Sequence, residues 1–223
     1  MNWKLLTAAC LGAGLLCAQS DAGKRLGAAA DAFKEVMDTP DKSIPQDLLN
    51  KAQCMVIVPG LKKGAFIVGA KYGRGFVACR KKDGVGWTAP GSIRVEGGSF
   101  GFQIGGSETD VFMLVMNEGG MKRLLSTKFT LGGDASVAAG PVGRSTQAET
   151  DAALTAEILT WSRTKGLFAG ISLSGATLRE DAEWNSELYG RNLSNREILT
   201  TSVAAPAPAS ELMSELNRYS SRK

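Results

Sequence analysis

The 223-residue chain contains no histidine. A Ser-His-Asp triad, a Cys-His dyad, an HExxH zinc helix and a His₃ metal site are therefore all excluded, and with them much hydrolase and metalloenzyme chemistry. Cysteine is scarce, at four, and proline is scarce, at seven against 27 glycines. That balance points to many turns and argues against collagen or a polyproline rod. Neither sign of charge dominates: the net charge is +4 and the pI about 8.9. Such a balance permits an anionic partner without demanding one. With 43% hydrophobic and 22% charged residues, the composition is that of an ordinary globular domain carrying at most a short appendage.

The one long uncharged run is at the N-terminus. Lys4 precedes an apolar stretch over residues 5–16, and the small residues Ala18 and Ser20 follow. This is the pattern of a secretory leader over residues 1–20, removed near Ser20–Ala22, with a retained or lipid-modified N-terminal anchor as the alternative. The run is shorter than the roughly 20 residues a membrane-spanning helix needs. The expected localisation is periplasmic or secreted. Removal of the leader takes Cys10 and Cys17 with it and leaves Cys54 and Cys79. In an oxidising compartment the pair predicts a disulfide closing a loop of about 25 residues, worth roughly 3 to 4 kcal/mol. Two buried free thiols are the alternative.

Apolar positions Leu26, Ala30, Phe33 and Met37 recur at helical spacing, which predicts an amphipathic helix over 21–38. Its alanines and its lack of tryptophan favour packing on the domain over insertion into an interface. A short helix through Lys51 follows, with Pro45 in its first turn. The middle of the chain changes to a period of two with glycine punctuation. It predicts strands over 54–58, 65–72, 76–80, 87–90, 100–104 and 111–116, with Gly73-Arg74-Gly75 and residues 81–84 as hairpin turns. A short helix over 118–126 precedes strands at 134–139, 156–163 and 167–178. Short helices are expected over 180–189 and 195–199. Residues 203–209 read as a stiff Ala/Pro linker to a helical tail, so that 203–223 forms an appendage to a domain spanning 21–202. The fold class is α+β: a strongly curved, largely antiparallel, barrel-like sheet flanked by N- and C-terminal helices.

Motifs for chemistry are weak. Gly84-Val-Gly86-Trp-Thr-Ala89 fits a loose dinucleotide pattern but opens no helix. The run from Gly140 to Ser145 echoes a phosphate loop but lacks its lysine, and Pro141 removes a backbone donor. Glu96, Glu108 and Asp110 are the densest carboxylates of the strand region, and nothing in the sequence forces two of them together. No catalytic residue, metal site or cofactor is assigned.

One cluster rises above this background. Lys62, Lys63, Lys71, Arg74, Arg80, Lys81 and Lys82 occur within 23 residues that contain no acid. If the turns that carry them converge, they make an anionic head-group site to which each charge contributes about 1 kcal/mol. Lys62, Lys63, Arg74, Arg80, Lys81 and Lys82 are the candidates, with Arg163 and Lys165 as further sources of charge. The alternative is that these cations guard sheet edges against pairing with other chains.

A resemblance sharpens the choice. Ser92, Phe100-Gly-Phe-Gln-Ile-Gly105, Thr109-Asp110, Leu131-Gly-Gly-Asp-Ala-Ser-Val-Ala-Ala-Gly-Pro-Val-Gly143, Ser162-Arg-Thr-Lys-Gly-Leu-Phe-Ala-Gly-Ile-Ser-Leu173, Asn185 and Tyr189-Gly190 resemble, in order, the motifs of the SYLF domain family. The resemblance implies a non-enzymatic domain that binds phosphoinositides and related acidic lipids, so the expected partner is an anionic phospholipid membrane surface. Nucleic acid is not expected, and the leader argues against an actin partner. A second reading is an envelope module that binds a protein or polysaccharide. The glycines around the small-residue stretch 135–139 have an architectural explanation of their own, since they let another element approach closely.

Overall fold

The computed structural model describes residues 20–39, 43–65, 68–100, 105–142, 155–164, 166–171 and 173–220. The leader apart from Ser20, most of the 100–104 strand and Lys165 lie outside them. Helices α1 (Asp21–Met37) and α2 (Gln46–Lys51) lead into β1 (Cys54–Ala65), β2 (Val68–Cys79), β3 (Gly91–Phe100) and β4 (Gly105–Val115). Then come α3 (Glu118–Leu124), β5 (Lys128–Thr130), β6 (Val137–Ala139), β7 (Ile158–Thr164), β8 (Leu167–Gly170) and β9 (Thr177–Glu180). Helices α4 (Ala182–Tyr189), α5 (Asn195–Thr200) and α6 (Ser210–Ser220) close the chain. Among the described residues the strands form one curled sheet in the order β5-β9-β3-β2-β1-β4-β7-β6, with β8 also paired to β7. Its ladders are antiparallel except β6 with β7, so the α+β class and the largely antiparallel sheet are as the sequence predicts.

The central strands are buried on both faces, which is why 54–58 and 111–115 read as unbroken hydrophobic runs. Met55, Ile57, Phe112 and Leu114 turn outward to the helices. Val56, Val58, Val111 and Met113 turn to the concave side, where Phe129, Leu131 and Leu178 close over them. Each such side chain contributes about 1.5–3 kcal/mol by leaving water. Helix α1 starts where the Ser20 hydroxyl accepts the Gly23 N–H at 3.1 Å, and it lays Leu26, Ala30 and Phe33 on the outer face. The expected packing of this helix holds.

The tail differs from expectation. Leu212 and Leu216 of α6 share the core that holds Leu26 and Phe33, and Tyr219 meets Phe33 edge-on at 5.8 Å. Trp87 donates its indole N–H to the Leu216 carbonyl at 3.1 Å. Residues 203–209 therefore return the chain to its own N-terminal helix, and α6 is part of the domain rather than an appendage.

Several strands also differ. Gly73-Arg74-Gly75 is not a turn but the middle of β2, which runs unbroken from Val68 to Cys79. Residues 87–90 contribute only a bridge between Trp87 and Arg80. The predicted strand over 167–178 is two strands, β8 and β9, separated by a turn at Gly175.

Cys54 and Cys79 are bonded to each other. They sit directly opposite in β1 and β2, at a close-spaced position flanked by the Arg80 N–H bond to the Gln53 carbonyl at 2.8 Å. Adjacency follows from β2 being continuous. Replacing both by alanine should lower unfolding free energy by about 3 kcal/mol in denaturant titration; an unchanged midpoint would contradict a structural role.

Candidate functional site

The site begins with an irregularity. The register of β1 slips by one residue against both β2 and β4 around Pro59-Gly60. One extra residue in a strand is a β-bulge, and it reverses which face the following side chains take. Val56 and Val58 point to the concave side, and so, after the bulge, does Leu61. Lys63 therefore follows on the concave side and Lys62 on the outer side. Gly60 carries the positive φ of the bulge, 58°. Its N–H donates to Asp110 at 2.9 Å, and Arg25 of α1 donates to the Pro59 carbonyl at 2.8 Å. Opposite the bulge, a Cβ on Gly73 would lie 2.8 Å from the Leu61 side chain, and one on Gly75 would lie 2.2 Å from the Ile57 carbonyl oxygen. The glycines of β2 exist for this close approach.

Beyond the bulge, Lys63 of β1 stands directly opposite Lys71 of β2. Like charges in this position destabilise a sheet, and neither lysine has an ion pair among the described residues. Burial, and then the Lys71 ammonium, push the Lys63 amine below its ordinary 10.5. Lys62, on the outer side, reaches Glu108 at 3.7 Å across an exposed pair that contributes little. The same end of the sheet carries the Thr109 and Thr164 hydroxyls, 2.8 Å apart. It also holds two of the exposed large apolar side chains: Leu167, 73% exposed, and Tyr72, 44% exposed. Two uncompensated cations thus share the sheet end with a protruding leucine.

The remaining predicted cations do not converge on this place. Arg74 packs over the Trp184 ring, 4.6 Å from its centroid, and pairs with Asp181 at 3.2 Å and Glu183 at 2.9 Å. Arg80 is buried over Trp87, donates to the Leu49 carbonyl at 3.1 Å and binds Ser220 of α6. Arg163 pairs with Asp110 at 2.6 Å and with Glu35 of α1, so it holds the bulge-bearing part of the sheet to the helix. These three are built into the fold. Lys81 and Lys82 are exposed but follow Cys79, at the other end of the β1–β2 hairpin. Eight residues of strand separate Lys71 from Cys79, about 26 Å, several times the Debye length of about 8 Å at physiological salt. The expected convergence of the turns is corrected by the continuity of β2. Lys71 stands in the basic cluster of the sequence but not among its candidate site residues, and no pattern in the sequence singles out Leu167.

The other motif residues are structural. A Cβ on Gly140 would lie 2.0 Å from the Trp161 ring, and one on Gly170 would lie 2.1 Å from the Gly140 carbonyl oxygen. Trp161 donates to the Pro141 carbonyl at 2.9 Å. Asn185, fully buried, accepts the Ser92 N–H at 2.7 Å and donates to Asn195 at 2.8 Å, fixing α4 and α5 to β3.

A family model described as Ysc84, Las17-binding protein actin regulator, matches residues 96–219. SH3 domain-containing YSC84-like protein 1 of Rattus norvegicus is 34% identical over 184 residues, covering 82% of this chain and 54% of the relative. Protein YSC84 of Saccharomyces cerevisiae is 36% identical over 177 residues, 78% and 37% of the two chains. LAS seventeen-binding protein 3 of the same species is 36% identical over 169 residues, 74% and 36%. The chain thus spans about half or less of the length of these relatives.

The opposed lysines make a test of what the pair costs. Replacing Lys71 by glutamine should raise stability by about 0.2–1 kcal/mol in thermal or denaturant unfolding. A lysine whose amine titrates lower in the folded state than in the unfolded chain favours unfolding while protonated. Its contribution to stability therefore rises with pH between the depressed folded value and 10.5. In Lys71→Gln that alkaline rise should shrink; a variant less stable than the parent would show that the pair is not repulsive.

Proposed function

The chain belongs to the Ysc84 (SYLF) family, and from that premise we propose that it is a non-enzymatic lipid-binding module that seats the Lys63–Lys71 end of its sheet on an anionic membrane surface. The observation that carries this reading is the opposed, uncompensated lysine pair beside the exposed Leu167. Such a pair is costly in the free protein and is relieved by acidic head groups, while a protruding leucine gains by entering the acyl boundary. Lys62, on the outer side, is paired with Glu108 and adds little. The two opposed lysines at roughly 1 kcal/mol each give about thirtyfold in partitioning. Helix α1 contributes by holding the bulge in place rather than by insertion, because its apolar stripe is already spent on the core. The leader-like residues 1–20 and the Cys54–Cys79 bond support a periplasmic or extracellular setting, where disulfides persist.

The descriptions of the relatives favour a second reading, in which this domain serves an actin-regulating or Las17-binding assembly. These descriptions lend no support to the expectation that actin is not a partner. Co-pelleting with actin filaments in the absence of lipid tests this reading.

Sedimentation with phosphatidylserine-containing vesicles tests the first. Lys63→Glu/Lys71→Glu should lower partitioning by about thirtyfold or more, while Lys81→Glu/Lys82→Glu should leave most of it. Equal losses in the two variants, or binding indifferent to both, would place the lipid-facing surface elsewhere.

A further inference from the structure

We propose that the outer face of the sheet, toward its β5 edge, carries a docking row for an acidic helical segment of a partner protein. Four cations stand in one line across four adjacent strands. Arg74 in β2 is opposite Arg94 in β3, Arg94 is opposite Arg179 in β9, and Arg179 is opposite Lys128 in β5. All four share the outer face, because their neighbours Ile93, Val95, Leu178 and Phe129 take the concave core. With strands about 4.8 Å apart, the row is about 14 Å long. Like charges directly opposite one another destabilise a sheet, so such a row calls for anions.

The chain itself provides them for one half. Asp181, fully buried before the first turn of α4, places Oδ2 3.2 Å from Arg74 and 3.6 Å from Arg94, and Glu183 reaches Arg74 at 2.9 Å. The other half is open. Arg179 has one loose contact, to Glu96 at 3.5 Å, and Lys128 is exposed with no ion pair among the described residues. The Nε of Arg94 is buried against Asp181 at 3.6 Å, an ion pair longer than a hydrogen bond.

The spacing selects the occupant. Carboxylates four residues apart on a helix are about 5–6 Å apart, close to the pitch of the row. Those on one face of an extended strand repeat at about 6.6–6.8 Å and fall out of step within three positions. Helix α4 already meets the first two arginines with carboxylates, and guanidinium groups favour paired carboxylate oxygens. A partner helix with glutamates at i, i+4 and i+8 would bring carboxylates to the part of the row that α4 leaves unmet, from the edge of Arg94 across Arg179 to Lys128. The row lies on the face opposite to Lys63 and Lys71, so this interaction is independent of membrane binding.

The test titrates the full chain against a labelled alanine-based helical peptide carrying glutamates at i, i+4 and i+8, read by fluorescence anisotropy at low salt. The control peptide has the same composition with its glutamates distributed around the helix. The aligned peptide should bind more tightly than the control, and Arg179→Glu/Lys128→Glu should weaken it about tenfold. The milder Arg179→Gln/Lys128→Gln should fall between, and Lys63→Glu/Lys71→Glu should bind as the parent does. Equal binding of the two peptides overturns the proposal, as does unchanged affinity in both charge variants. So does tighter capture of anionic vesicles or a DNA duplex through Arg179 and Lys128. If the Glu variant self-associates while keeping its peptide affinity, the cations merely guard the edge strand and the proposal fails.

Discussion

Between Val58 and Leu61, β1 carries one residue more than its neighbours on either side, and the polar end of the sheet depends on that insertion. Without it, Lys62 would face the concave side and Lys63 the helices, since a strand alternates faces at every residue. With it, Lys63 is set against Lys71 and Lys62 is left outside. The bulge is held from both directions: Asp110 accepts the Gly60 N–H at 2.9 Å, and Arg25 donates to Pro59 at 2.8 Å. Asp110 is in turn paired with Arg163, which also reaches Glu35. A chain of charges thus runs from α1 through β7 and β4 to the bulge, and it fixes the geometry of two lysines that take no direct part in it.

The same economy explains how a sheet can be apolar on both sides and still present charge at its ends. Helices α1, α2, α4 and α6 cover the outer face over β1, β2 and β4. The segments from α3 to β9 cover the concave face. Among the described residues, what remains open is the far end of β1 and β2, where Lys63 and Lys71 stand, and the outer surface toward β5, where Arg179 and Lys128 stand. Cations at the first are opposed without a counter-charge among the described residues. At the second they continue a row that α4 neutralises only in part.

Much of this was legible in the residues. Unbroken apolar runs marked the doubly buried strands, and the periodicity of α1 gave the face that packs. The solitary cysteine pair gave the disulfide. The small-residue motifs around Gly140 proved architectural, packed against Trp161. What escaped was everything fixed by pairing across long sequence distances. Gly73 and Gly75 carry the composition of a turn, but they are required by a bulge in another strand. Arg74 looks unpaired because its partners, Asp181 and Glu183, are over a hundred residues away. Arg80 looks like a surface cation, yet α6 folds back over it. The opposition of Lys63 to Lys71 follows from a register that local composition does not encode, so the cluster and Lys63 were visible while the pairing with Lys71 was not.

The orientation of the domain on a membrane tests the account most directly. Spin labels attached to single cysteines introduced by Leu167→Cys and Val85→Cys, with Cys10 and Cys17 replaced by serine, report depth through their accessibility to oxygen. Both parent side chains are exposed, and they lie at opposite ends of the sheet. On acidic vesicles the label at 167 should become immersed, while the label at 85 stays in water. Immersion at 85, or no change at 167 when the protein is vesicle-bound, would contradict the assignment of the Lys63–Lys71 end as the membrane-facing surface.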